Sequence, residues 1–122
     1  MKVLILIGIL FGFLAVALGA FGAHALEGKI SESSIATWEK AVHYQMFHAV
    51  NILIVGFALI RFESSALLFA GWAFVIGVLL FSGSLYMYST TGIRMMAMIT
   101  PFGGVIFLLG WILFGYAMMK VL

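Results

Sequence analysis

VLILIGILFGFLAVALGAFGA, residues 3–23, decides the fold. It runs for about twenty positions without a charge, and at about 1.5 Å per residue such a helix crosses a hydrocarbon core of about 30 Å. Lys2 ahead of it and Ala23-His24-Ala25 at its end imitate a secretory signal. The apolar run is longer than the usual stretch of about 7 to 15 residues in such signals, so it reads as a retained first span. Along it Gly8, Gly12, Ala15, Gly19 and Gly22 recur at steps of four and three. That spacing aligns small residues on one side, where a second helix can approach closely and where packing replaces the missing hydrophobic drive in lipid.

The whole chain has the same character. Of its 122 residues 66% are hydrophobic and 8% charged, against about 25% charged in soluble domains. One domain of this size could not bury so much apolar surface in water. The formal charge of +2 comes from scattered residues with no basic run, so nucleic acid is not an expected partner. With no cysteine, disulfides, thiolate metal sites and thiol catalysis are excluded.

Three further spans lie at about 41–60, 66–88 and 100–119. From His24 to Lys40 the chain is polar, and Ser31 or Ser33 is placed to cap a helix starting near Ser34. Trp38 stands where an interfacial tryptophan belongs. Arg61 to Ser65 is a short turn, which makes the second and third spans antiparallel neighbours. Trp72, Tyr86 and Tyr88 fit aromatic belts of the third span. Thr100-Pro101 reads as the start of the last helix, where a missing amide hydrogen costs nothing. Trp111, Tyr116 and Lys120 mark its far end. The expected architecture is a single all-α domain over residues 1–122, an antiparallel four-helix transmembrane bundle in a bacterial cytoplasmic membrane.

Four spans place both termini on one side. Lys2, Arg61 and Lys120 there balance Lys29, Lys40 and Arg94 on the other, so the positive-inside rule is silent. Both termini are assigned to the cytoplasm as a working orientation.

Chemistry concentrates in WEKAVHYQMFHAVN, residues 38–51. On a helix, Tyr44, Gln45, His48 and Asn51 fall within about 120° of one another. Polar side chains within a span face protein or a water-filled cavity, and an ionisable group there is a functional candidate. His24 ends the first span on the same membrane side, as do Ser82 and Tyr86 of the third and Thr100 of the fourth, while Ser84 points elsewhere. These residues, His24, Tyr44, Gln45, His48, Asn51, Ser82, Tyr86 and Thr100, form the candidate polar pocket. The alternative for His48 is hydrogen bonding that only ties helices together, worth about 1 kcal/mol; for His24 it is a solvated histidine at a helix C-terminus, the preferred reading there, and for the serines and threonine bonds within their own helices. His43 lies about 140° from His48 and reads as interfacial.

No phosphate loop, G-x-S-x-G, H-E-x-x-H or C-x-x-C pattern is present, and no acidic residue lies within a span. Catalytic residues, a resident metal and a cofactor are therefore not expected. The preferred reading is a non-enzymatic membrane protein that binds a lipid, a hydrophobic small molecule or a membrane-protein partner, a second copy included. A minimal transporter or proton-linked channel titrating His48 stands second. A haem or quinone protein using His24 and His48 stands third.

Four ordered motifs, GAFGAHAL (19–26), Trp38 with AVHYQMFHA (41–49), LFSGSLY (80–86) and TPFGG with the later GW (100–111), make the chain resemble the YgdD/YwdK-like family of small membrane proteins, domain of unknown function 423. The likeness covers essentially the whole chain and implies four spans in a bacterial membrane. It carries no reaction, substrate or cofactor with it. GIRMMAMITP departs from the glycine-rich third loop that the resemblance implies.

Overall fold

The computed structural model describes residues 1–122, the side chain of Ala23 excepted. Four long helices account for nearly all of it: α1 (Lys2–Leu26), α2 (Glu32–Arg61), α3 (Ser65–Thr91) and α4 (Arg94–Val121), each long and apolar enough to cross a membrane. They outrun the expected spans, and at the starts of α2 and α3 serine caps fix the added residues. The Ser31 hydroxyl accepts from the Ser34 amide at 3.0 Å and starts α2 at Glu32. Ser64 likewise accepts from the Leu67 amide at 3.1 Å and starts α3. Between them only Phe62, Glu63 and Ser64 turn the chain, so α2 and α3 are antiparallel neighbours.

The last turn is tighter than the sequence pattern implies. Gly92 adopts φ +70°, and its amide donates to the Tyr88 carbonyl at 2.8 Å, the left-handed ending that glycine enters without a Cβ penalty. Shortly beyond it, at Arg94, α4 begins. Thr100-Pro101 therefore does not open the last helix. Pro101 lies inside α4, where it has no amide hydrogen to offer the Ala97 carbonyl one turn earlier.

Packing follows chain order. α1 lies on α2, α2 on α3 and α3 on α4, while α1 and α4 form no packed interface among the described residues. Of the most apolar window of each helix, 39% and 44% is buried in α2 and α3 but 17% in each of α1 and α4, which makes α2 and α3 the central pair. Phe74, Leu4, Ile52, Leu67 and Val55 are fully buried at the heart of the bundle. Outside it, Phe13, Phe21, Phe69, Phe102 and Leu108 are more than half exposed. In water such a surface would be untenable, and in a bilayer it is the surface lipid wets.

Small residues set how closely the helices approach. A Cβ at Gly8 would lie 2.8 Å from Leu53, one at Gly19 would lie 3.1 Å from Val42, and one at Gly22 would lie 2.5 Å from the Trp38 indole. Ala15 is fully buried. Three of the four glycines in the expected seam of α1 thus face α2 of the same chain, whereas Gly12 has no such neighbour within 4 Å. Gly103 of α4 meets backbone instead: a Cβ there would lie 2.5 Å from the Phe81 nitrogen.

Two π-helical segments interrupt the odd-numbered helices, Leu18–Gly22 in α1 and Val78–Ser82 in α3. A π turn inserts a residue into the i→i+4 ladder and reorients the side chains beyond it. Hydrogen-bonding side chains tie both segments to α2.

Candidate functional site

The polar residues of the loop-proximal half form pairs rather than one pool. Trp38 is buried, and its indole donates to the Leu18 carbonyl at 3.0 Å, at the first residue of the α1 π segment. It therefore ties α2 to α1. The Ser82 hydroxyl, at the end of the α3 π segment, donates to the Ala41 carbonyl of α2 at 2.8 Å. Gln45 joins three helices. Its amide nitrogen donates to the Phe11 carbonyl of α1 at 2.9 Å, and its oxygen accepts from the Tyr86 hydroxyl of α3 at 2.7 Å. A buried amide in lipid needs partners for both ends, and Gln45 has them.

Ser84 faces α4, away from Ser82 and Tyr86. Its hydroxyl donates to the Phe81 carbonyl at 2.9 Å and pairs with the Thr100 hydroxyl of α4 at 2.6 Å. Thr100 thus belongs to a Ser84 pair on the α3–α4 side, apart from Ser82.

His48 sits at the crossing of α2 with α4. Its Nδ1 lies 2.8 Å from the Tyr44 carbonyl, and its Nε2 lies 3.2 Å from the Trp111 indole nitrogen. Indole N–H is a donor only, so Nε2 accepts, Nδ1 carries the hydrogen, and the ring is held as one neutral tautomer. Phe107 stacks on it at 3.7 Å with the planes 11° apart, and Phe74 and Phe47 lie at 5.5 and 5.7 Å. Trp111, read from sequence as an end marker of the last span, is instead the side-chain partner of His48. Nothing local in the sequence signals this, because it depends on the register between two helices far apart in the chain.

His24 does not join this region. It is exposed beside Glu27, Ile35 and Glu39, and nine residues of α2 separate Glu39 from His48, about 13 Å at 1.5 Å per residue. The expected stripe of Tyr44, Gln45, His48 and Asn51 also divides. Gln45 faces α1 and α3, Tyr44 lies 4.5 Å from the Phe81 ring of α3, His48 faces α4, and Asn51 borders a separate hollow. Three helices surround α2, so residues within one broad arc meet different neighbours. Asn51 is 6% exposed, and its amide nitrogen is buried with no hydrogen-bond partner.

What remains open is apolar. α2 and α4 run in the same direction with their backbones apart, and large side chains bridge the gap. A lateral concavity of about 410 Å³ is lined by His43, Tyr44, Phe47, His48 and Trp111. A neighbouring hollow of about 360 Å³ shares Tyr44, His48 and Trp111 and continues along Phe81, Pro101, Gly104 and Phe107. Glycine at 104 leaves this wall low, since a Cβ there would come no nearer than 3.8 Å to the Phe81 ring. The open space is therefore an aromatic groove, with the polar pairs packed behind it. Among the described residues no cluster of three or more His, Cys, Asp or Glu is arranged to hold a metal.

Comparison with known proteins gives the same class. A UPF0382 membrane protein of Staphylococcus epidermidis is 46% identical over 121 residues, covering 98% of each chain. One from Staphylococcus haemolyticus is 45% identical over 113 residues, covering 93% of this chain and 92% of that one. The UPF0382 membrane protein YwdK of Bacillus subtilis is 44% identical over 123 residues and the full length of both. No solved structure matches. Residues 18–104 match the family described as protein of unknown function (DUF423), and with full-length relatives named membrane proteins, this chain belongs to that family of membrane proteins.

Proposed function

We propose that the groove between α2 and α4 binds the hydrocarbon part of a membrane lipid or another hydrophobic small molecule, and that the protein acts by binding rather than by catalysis. The observation that carries this reading is the aromatic concavity of about 410 Å³ that opens towards the bilayer. Its size lies within the usual range of about 300–1,000 Å³ for small-molecule sites, which are mostly apolar with few polar groups. Tyr44 and His43 stand at the end nearer Lys40. Helical side chains lean towards the helix N-terminus, so the Tyr44 hydroxyl is directed to the interface, where a head group would lie.

The titrating and haem readings of His48 find less support. Both ring nitrogens are engaged, one by the Tyr44 carbonyl and one by the Trp111 indole. A proton or an iron at Nε2 would have to displace that indole. The working orientation keeps both termini in the cytoplasm.

Native mass spectrometry from a mild detergent tests the reading. The wild-type chain is expected to retain lipid-sized adducts, and Gly104→Trp, which fills the low wall, is expected to lose them while remaining folded. A bare wild-type chain whose thermal stability is indifferent to added lipid would refute it.

A further inference from the structure

The groove between α2 and α4 changes character along its length. At the end nearer the start of α2 its wall carries His43 and Tyr44. Both are exposed, Tyr44 by 43%, so an imidazole and a phenol hydroxyl are open to a ligand there. Deeper in, the polar atoms of the wall are already engaged, because the His48 ring is held between the Tyr44 carbonyl and the Trp111 indole. Around them the wall is apolar, with Phe47, Phe81 and Phe107. Tyr44 lies four residues and Phe47 seven residues beyond Lys40, about 6 Å and 10 Å along the helix. Hydrogen-bonding groups near the interface and hydrocarbon below them match an amphiphile lying along α2, its head at His43 and Tyr44.

Charge at the mouth selects the kind of head. α2 is an unbroken α-helix from Glu32 to Arg61, so Lys40, three residues before His43 and four before Tyr44, shares their face. Its side chain is exposed, and a lysine lays its stem on apolar surface while its ammonium stays among the head groups. On this side of the membrane Glu27, Glu32 and Glu39 balance Lys29, Lys40 and Arg94, but the two signs are set apart. Glu39 precedes His43 by one turn, yet it is turned about 100° from Lys40 around the helix and lines a different hollow with His24, Glu27 and Ile35. Glu32 is eight residues before Lys40, about 12 Å farther out. α4 brings Arg94 as its first residue and no acid in its first turn. The mouth of the groove is therefore basic although the side as a whole is neutral.

We infer that the occupant of the groove is a glycerophospholipid with a net negative head, its phosphate held by the Lys40 ammonium and the Tyr44 hydroxyl and an acyl chain lying over Phe47 and Phe107. This rests on the groove reading above and names the lipid class it selects. The test is native mass spectrometry of the full chain from mild-detergent micelles carrying equal amounts of phosphatidylglycerol and phosphatidylcholine with the same acyl chains. One lysine at a membrane surface favours an anionic lipid about fivefold, so the wild type is expected to retain phosphatidylglycerol over phosphatidylcholine by about that factor. Lys40→Gln changes an exposed position and is expected to fold and to bring the ratio to about one.

Lys29→Gln removes the same charge from the same side of the membrane, outside the groove, and is expected to keep the preference. Gly104→Trp, which fills the groove, is expected to lose both adducts. Equal retention of the two lipids by the wild type would overturn the head-group inference and leave the groove standing. Retention of neither would overturn the groove as well. A preference that survives Lys40→Gln, or that falls as far in Lys29→Gln, would place the selectivity in the diffuse charge of this side and overturn the inference. A preference that survives Gly104→Trp would mean that Lys40 holds lipid outside the groove, and would equally overturn it.

Discussion

Replacing Gly103 or Gly104 with alanine adds the same methyl group to adjacent positions of α4, and the structure separates their outcomes. At Gly103 the new Cβ would lie 2.5 Å from the Phe81 nitrogen, 2.8 Å from its Cα and 2.9 Å from the Leu80 carbonyl carbon. All three atoms are backbone of the α3 π segment, so no side chain can swing aside. Reaching an ordinary contact of 3.4 Å requires α3 and α4 to part by about 0.9 Å at their closest point. Overpacking costs about 1–3 kcal/mol, and a backbone contact belongs at the upper end, about 2–3 kcal/mol. Alanine recovers about 1 kcal/mol through its better helix propensity, which leaves Gly103→Ala destabilised by about 1–2 kcal/mol. At Gly104 the nearest atoms are Phe81 ring carbons at 3.8 Å, so only the propensity gain remains and Gly104→Ala is unchanged or stabilised by up to about 1 kcal/mol. Reversible unfolding in mixed micelles, followed by tryptophan fluorescence, measures both. Equal stability of the two variants would refute the claim that the α3–α4 crossing is set by backbone contact at Gly103.

The polar ties give two further outcomes. In a double-mutant cycle with His48→Phe and Trp111→Phe, the pair is expected to show coupling of about 0.6–1.7 kcal/mol, from the average to the maximum for hydrogen bonds between membrane helices; additive effects would mean that the 3.2 Å contact does not form in the bilayer. Ser31→Ala removes the cap of α2 and should cost about 1 kcal/mol, with faster hydrogen exchange at the Ser34 amide. Unchanged exchange there would place the start of the helix elsewhere.

The four spans are legible in the sequence because uncharged runs of membrane length have few other uses, and the cap at Ser31 is legible because it is local. The end of α3 is not. Gly92 reads only as part of a loop, while its left-handed conformation lets α4 begin well before Pro101. The site is harder to read because its pairings depend on helix register. Periodicity places Gln45 and His48 in one arc of α2, but only the packing of α1, α3 and α4 around that helix decides which neighbour each one meets. A constant helical step places Ser84 on the other side of α3 from Ser82, but its partner Thr100 is visible only once α4 is packed against α3. Trp111 escapes for a related reason, since a tryptophan near the end of an apolar run looks the same whether it borders water or binds a histidine.

The row-like packing of the helices bears on how the protein is made. Each helix after the first packs against the helix synthesised just before it, and among the described residues no interface between the first and last helices has to close. The chain can therefore enter the bilayer as two successive hairpins, each docking as it arrives. Assembly would not wait for the C-terminus, and a chain halted after α3 should already hold the central pair in its final arrangement.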